Sequence, residues 1–240
     1  MNVLVGTSGW SYKEWKGSFY PPKIPAEDML RFYSAHFPTV EVNNSFYRIP
    51  AERVLVGWAG QVPESFRFVM KASRRVTHNN RLRDEDGSLG FFLRAINPLA
   101  ERLGPTLFQL PPNFKKDMDR LQGFLAALPR RWPAAMEFRH PSWFDDEVYD
   151  AMKARGVALV AVDENEDEGV GSPLVPTATW GYVRLRRVSY DETMLRTWAE
   201  RILDQSWSDA YVFLKHEDGS PTGPAAATQL SRILEEIRKT

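Results

Sequence analysis

Eight short runs rich in β-branched and aromatic residues punctuate the chain: "VLVGTS" (3–8), "VEVNN" (40–44), "FRFVMKAS" (66–73), "TLFQLP" (106–111), "AAMEFRH" (134–140), "ALVAVDE" (158–164), "GYVRLRR" (181–187) and "YVFLKHE" (211–217). Each reads as a strand. Between most of them the apolar positions recur at helical spacing, in "PAEDMLRFYSAHF", "AERVLVGWAG", "LGFFLRAINPLAERL", "DMDRLQGFLAAL", "DDEVYDAMKARG", "DETMLRTWAERILDQ" and the closing "AAATQLSRILEEIRK". The alternation predicts an α/β fold, a single (β/α)8 TIM-type barrel spanning 1–240. Its sixth helix is weak or replaced by a loop, because "ENEDEGVGSPLVPTATW" carries too many Gly, Pro and acidic residues to be helical.

The chain has 240 residues, close to the roughly 250 typical of such barrels. Lys plus Arg and Asp plus Glu both number 31, so no global field draws it to nucleic acid or membrane, and any basic site must be local. The absence of cysteine removes disulfides, thiolate zinc sites and a cysteine nucleophile. The opening "MNVLVGTSGW" has neither a basic leader nor a long apolar core, and no run reaches the roughly 18 apolar residues of a membrane span. A cytoplasmic protein without a membrane partner is the expectation, and no motif calls for a cofactor.

Barrel enzymes carry their sites at the C-terminal ends of the strands. With the larger apolar side chains set outward, the period of two turns Glu41 and Asn43 inward on the second strand, Lys71 on the third, Gln109 on the fourth, and Glu137 and Arg139 on the fifth. Asp163 ends the sixth, Arg184 and Arg186 lie on the seventh, and Lys215 ends the eighth. Strand ends meet water, so polar residues there are expected in any protein. A whole ring of them is harder to dismiss, because burying several charges is unfavourable unless they pair or meet a ligand.

Five motifs, "VGTSGWSYKEWKGSFYP", "EVNNSFYRIP", "KASRRVTHNNRL", "FQLPPNF" and "EFRHPSWF", together resemble the YecE-like family, the domain of unknown function numbered 72. The resemblance runs from about residue 3 to about residue 235. It implies a TIM-type barrel and carries no settled biochemical activity. The seventh-strand end, "RLRR", and the eighth, "LKHEDG", depart from the pattern of relatives.

The remaining motifs offer binding groups. Trp10 and Tyr12 follow the first strand in a Gly-rich turn, where they either stack on a base or sugar or pack the loop. Asn43, Tyr47 and Arg48 lie in "NNSFYRIP", and Lys71, Arg74, Arg75 and His78 in the basic loop "KASRRVTH", whose guanidinium groups suit phosphate or carboxylate. In "EFRHPSWF", Glu137 is either a general base with His140 as proton shuttle, or one half of an ion pair with Arg139 that braces the barrel. Pro141 ends that strand, Ser142 is placed to cap the next helix, and Trp143 covers the corner of the mouth. Glu41, Glu137, Asp163, His140 and His216 contain the donors for a divalent ion, but their spacing matches no metal motif and no bound metal is expected.

Three functions remain open. The first is binding or hydrolysis of a phosphate-bearing ligand, a nucleotide or nucleic-acid element, in a positive mouth. The second is a carbohydrate-active or sugar-isomerising enzyme using Glu41, Glu137 and Asp163. The third is a partner-binding scaffold whose charges are architectural.

Overall fold

A computed structural model describes residues 1–164, 171–215 and 222–239. Eight parallel strands close into a barrel in chain order: β1 (Asn2–Ser8), β2 (Thr39–Val42), β3 (Arg67–Lys71), β4 (Leu103–Gln109), β5 (Ala134–Glu137), β6 (Ala158–Asp163), β7 (Gly181–Leu185) and β8 (Asp209–Leu214). All eight runs read from the sequence are strands. Several, β2, β3, β5, β6 and β7 among them, stop before the end of their runs. β2 stops at Val42 because Asn43 turns into the single 3-10 turn Asn44–Phe46, and β5 stops at Glu137.

The helices are α1 (Met29–Ser34), α2 (Glu52–Ala59), α3 (Ser88–Ile96), α4 (Met118–Ala127), α5 (Asp146–Arg155), α6 (Glu192–Leu203) and α7 (Thr222–Lys239). Each falls on one of the seven patterned segments. Between β6 and β7 the described residues contain no helix; Ser172 instead bridges back to Val162. No helix among the described residues is long and apolar enough to cross a membrane. Asp145, whose carboxylate accepts the Glu147 amide at 2.9 Å, caps α5. Ser142 does not: its hydroxyl accepts the Lys116 amide instead.

The apolar side chains divide into two layers. Val69, Leu107, Ala135, Ala158, Val160, Val162, Tyr182 and Phe213 fill the barrel, while Phe68, Met70, Phe108, Met136, Phe138 and Leu159 face the helices. The inward set on β6 is therefore 158, 160 and 162, and Asp163 points the other way, to the helix layer. Period two could not settle this strand, because "ALVAVD" is apolar on both faces, as a strand buried on both sides must be.

Close approach of β1 to β2 demands glycine at one position. A Cβ on Gly6 would lie 2.2 Å from the Thr39 carbonyl oxygen, a backbone atom that cannot swing aside. Gly6→Ala is expected to destabilise the barrel by about 2 kcal/mol, read as a lower urea midpoint. An unchanged midpoint would mean that the two strands separate freely at this register.

Candidate functional site

Inside the mouth, a chain of side-chain hydrogen bonds runs across six of the eight strands. Arg184 on β7 sits between two carboxylates, giving one guanidinium nitrogen to Glu41 Oε1 at 2.7 Å and the other to Glu137 Oε2 at 2.6 Å. All three side chains are buried, at 2% exposure or less. Ser8 (2.8 Å) and Asn43 (3.1 Å) also donate to Glu41 Oε1, and the Tyr182 hydroxyl donates to its Oε2 at 2.7 Å. On the other side Gln109 Nε2 donates to Glu137 Oε1 at 2.6 Å, and Lys71 Nζ donates to Gln109 Oε1 at 2.8 Å. The chain begins at Ser8 on β1 and ends at the amine on β3.

This order of partners fixes the charge states. Burial alone would raise the Glu41 carboxyl, but Arg184, Tyr182 and Ser8 outweigh it and hold it lowered to about 2. Glu137 moves the same way: burial opposes ionisation and is overcome by Arg184, Arg186 and Gln109. Both are carboxylates at neutral pH. Burial drives Tyr182 well above its ordinary value, and the adjoining Glu41 carboxylate adds to the rise. Lys71 is lowered to about 8, first by burial and then by Arg184, with Glu137 and Glu41 pulling back.

Above β3 the rim is cationic. The chain leaves Lys71 through a π-helical turn, Arg75–Asn79, and then passes Arg81 and Leu82 with φ of 47° and 70°. Left-handed backbone at two consecutive side-chain-bearing residues is costly and clusters at functional sites. His78 lies in the turn with Nδ1 2.9 Å from the Thr77 hydroxyl and its ring edge-on to Phe46. Its pKa is lowered to about 4, first by burial and then by Lys71, Arg74, Arg139 and Arg81. All four cations act on the one imidazole. Neither Arg74 nor Arg139 has a carboxylate partner among the described residues.

Several of the remaining sequence candidates are committed elsewhere. Glu137 pairs with Arg184, not with its neighbour Arg139. Asp163 accepts from Trp198 Nε1 at 2.9 Å and pairs with Arg187 at 2.7 Å, on the helix side of β6. Arg186 pairs with Glu164 at 2.7 Å, at the adjoining ends of β7 and β6. His140 Nδ1 accepts the Ser142 amide at 3.2 Å and caps the turn Pro141–Trp143. Trp143 is fully buried, stacked on Phe138 at 4.7 Å with its indole nitrogen donating to the Phe114 carbonyl, so it cannot meet a ligand. Arg75 turns outward to Asp86. Tyr47 and Arg48 are exposed on the β2 loop. Lys215 stands at the end of β8 beside Tyr190 and Gly223; His216 lies outside the described residues.

Trp10 and Tyr12 belong to a separate hollow. They line a cavity of about 340 Å³ with Asn43, Trp58 and Gln61, on the β1–β2 side of the mouth. Trp10 packs edge-on against Trp58 at 4.9 Å, and the Tyr12 hydroxyl donates to the Ser8 carbonyl at 2.7 Å. Among the described residues no three His, Asp or Glu side chains group to hold a metal ion. Three participants were not among the site candidates drawn from the sequence: Ser8, Tyr182 and Arg81. Tyr182 was within reach, since it stands two residues before Arg184 and shares its face.

These features define a (β/α)8-barrel protein with a buried acid–guanidinium clasp across its mouth and a cationic rim above β3. The family model described as "Protein of unknown function DUF72" matches residues 4–240, and the chain belongs to that family. It is 31% identical over 206 residues to the UPF0759 protein YunF of Bacillus subtilis, covering 81% of this chain and 69% of that one. To the UPF0759 protein YecE of Escherichia coli K12 it is 27% identical, covering 99% and 93%. A crystal structure of a DUF72 family protein from Thermotoga maritima superposes with a TM-score of 0.84 at 30% identity over the whole of both chains.

Proposed function

We propose that the rim above β3 binds a phosphate-bearing ligand, with Arg74, Arg81 and Arg139 facing the phosphate and Lys71, His78 and Asn43 bordering the floor beneath it. What supports this reading is that, after burial, Lys71, Arg74, Arg139 and Arg81 all lower the His78 pKa, and that among the described residues no carboxylate pairs with Arg74 or Arg139. Guanidinium groups meet phosphate oxygens in pairs, and an unneutralised cluster stores repulsion that an anion relieves. His78, held neutral, adds a hydrogen-bonding ring without adding charge.

The clasp disfavours the carbohydrate alternative. Acid/base hydrolysis of a glycoside needs one carboxyl that holds a proton and one that is free to attack or to activate water. Glu41 and Glu137 are both ionised and both engaged with one guanidinium, and Asp163 faces the helices. With a net charge of zero, the chain also lacks the overall field of a protein that tracks long nucleic acid. A nucleotide or another small phosphate ester fits a local cluster better.

A ligand that binds only the folded state raises the melting temperature by mass action. Nucleotides, sugar phosphates and short single-stranded oligonucleotides are to be compared with free sugars in a thermal-shift screen. At least one phosphorylated class is expected to stabilise the protein by a few degrees, and free sugars to do nothing. Arg74→Ala with Arg139→Ala should abolish the shift and leave the unliganded melting temperature within about 2 °C, since neither side chain braces the core. Stabilisation by free sugars alone, or a shift indifferent to the double variant, would overturn the proposal.

A further inference from the structure

Lys71 is the one cation of the mouth whose amine ends the hydrogen-bonded chain instead of joining two carboxylates. Its Nζ touches a neutral amide oxygen, Gln109 Oε1, and the face of the Phe46 ring 4.6 Å away. No carboxylate among the described residues lies within ion-pair distance of it. The amide is not free to turn. Glu137 is an ionised acceptor, so Gln109 must present Nε2 to it, which forces Oε1 toward Lys71. The amine is thus held by one hydrogen-bond acceptor at the end of β3, on a half-buried residue.

We propose that Lys71 is an imine-forming amine, condensing with the carbonyl carbon of a small phosphorylated aldehyde or ketone whose phosphate is held by the cationic rim. The phosphate half of this statement rests on the proposed function; the amine half does not. In the net step the lysine nitrogen forms a bond to the carbonyl carbon and the carbon–oxygen bond breaks. The ammonium form plus the carbonyl gives the protonated imine plus water. Two of the ammonium protons leave with the oxygen and the third stays on nitrogen, so charge is conserved and no further reactant is needed. That third proton is the one Gln109 Oε1 already accepts, so the product keeps the hydrogen bond of the reactant.

The charged groups facing the amine support the same chemistry. Burial lowers Lys71 first; Arg184 and Arg186 also oppose a second cation beside them, while Glu137 on β5 and Glu41 on β2, both already engaged by Arg184, pull the other way. Lys71 with a pKa near 8 therefore carries on the order of a hundredfold more free amine at neutral pH than an ordinary lysine. His78, itself kept neutral partly by Lys71, does not compete for the proton.

The test uses the full chain and pyridoxal 5′-phosphate as a phosphorylated aldehyde, trapped with borohydride and located by peptide mass mapping. Lys71 is expected to be modified at least about tenfold faster than Lys153, an exposed lysine paired with Asp150, with the rate rising most steeply between about pH 7 and 9. Lys71→Arg keeps a cation and should lose the rapidly labelled peptide. The comparison of two lysines in one wild-type chain stands even if that variant does not fold. Labelling of Lys71 no faster than Lys153 would overturn the proposal. Pyridoxal without its phosphate separates the two readings: if its Lys71-to-Lys153 ratio equals that of the phosphate ester, the amine chemistry holds and the phosphate site falls.

Discussion

Replacing Arg184 with methionine is expected to cost about 3–5 kcal/mol of stability, because it strands two ionised carboxylates that burial would otherwise forbid. Glu41 and Glu137 are each 1% exposed or less, and among the described residues the guanidinium between them is the only cation paired with either. In a chain of this size such a loss lowers the melting temperature by roughly 10 °C. The charges, not the volume, make the difference. Arg184→Met combined with Glu41→Gln and Glu137→Gln should therefore recover at least half of the loss, since amides need no counter-charge and an apolar side chain of similar length fills the space. A cost below about 1 kcal/mol for the single variant, or no recovery in the triple one, would show that the clasp does not hold the mouth together.

Acid should unfold the protein through the same carboxylates. A Glu41 pKa near 2 in the folded chain, against 4.5 ordinarily, means that the unfolded chain binds the proton first as pH falls. The stabilisation is complete above about pH 4.5 and is lost as pH drops toward 2, amounting to about 3 kcal/mol for Glu41 alone. Glu137, lowered for the same reason, adds to it. His78 acts earlier and with the same sign: its folded pKa near 4 lies below the ordinary 6.5, so the folded state loses ground as pH falls between those values. Urea midpoints measured from pH 7 to pH 3 should fall steadily, with the steepest part below 4.5. Glu41→Gln should flatten that lower segment; parallel curves for the variant and the wild type would contradict the assignment.

The clasp also explains why inward-facing polar residues were a fair but incomplete guide to chemistry. Glu41, Lys71, Gln109, Glu137 and Arg184 do share the interior, and their common face follows from alternation on strands whose other face packs helices. Alternation gives the face and is silent on the partner. Arg139 stands two residues from Glu137 and invited a pairing, yet β5 ends between them, and the cation that reaches Glu137 comes from β7, 47 residues away in the chain. Trp143 and His140 looked available in "EFRHPSWF" because a sequence cannot display the Phe138 ring or the Ser142 amide that occupies each of them.

What the amino-acid sequence determined by itself is the barrel, its eight strands, its seven patterned helices and the face on which most inner residues lie. These follow from local periodicity and turn residues, which act within a few positions along the chain. What only the tertiary structure decided is which charges cancel. Asp163 is the plainest case: "ALVAVD" is apolar on both sides, so nothing local told its two faces apart, and closure of the barrel against α6 put the carboxylate on Trp198 and Arg187. Among the described residues, the same closure left Lys71 without a carboxylate partner and Arg74 and Arg139 unpaired. Coulomb interactions depend on distance through space, and in a closed barrel that distance is set by strands far apart in the chain.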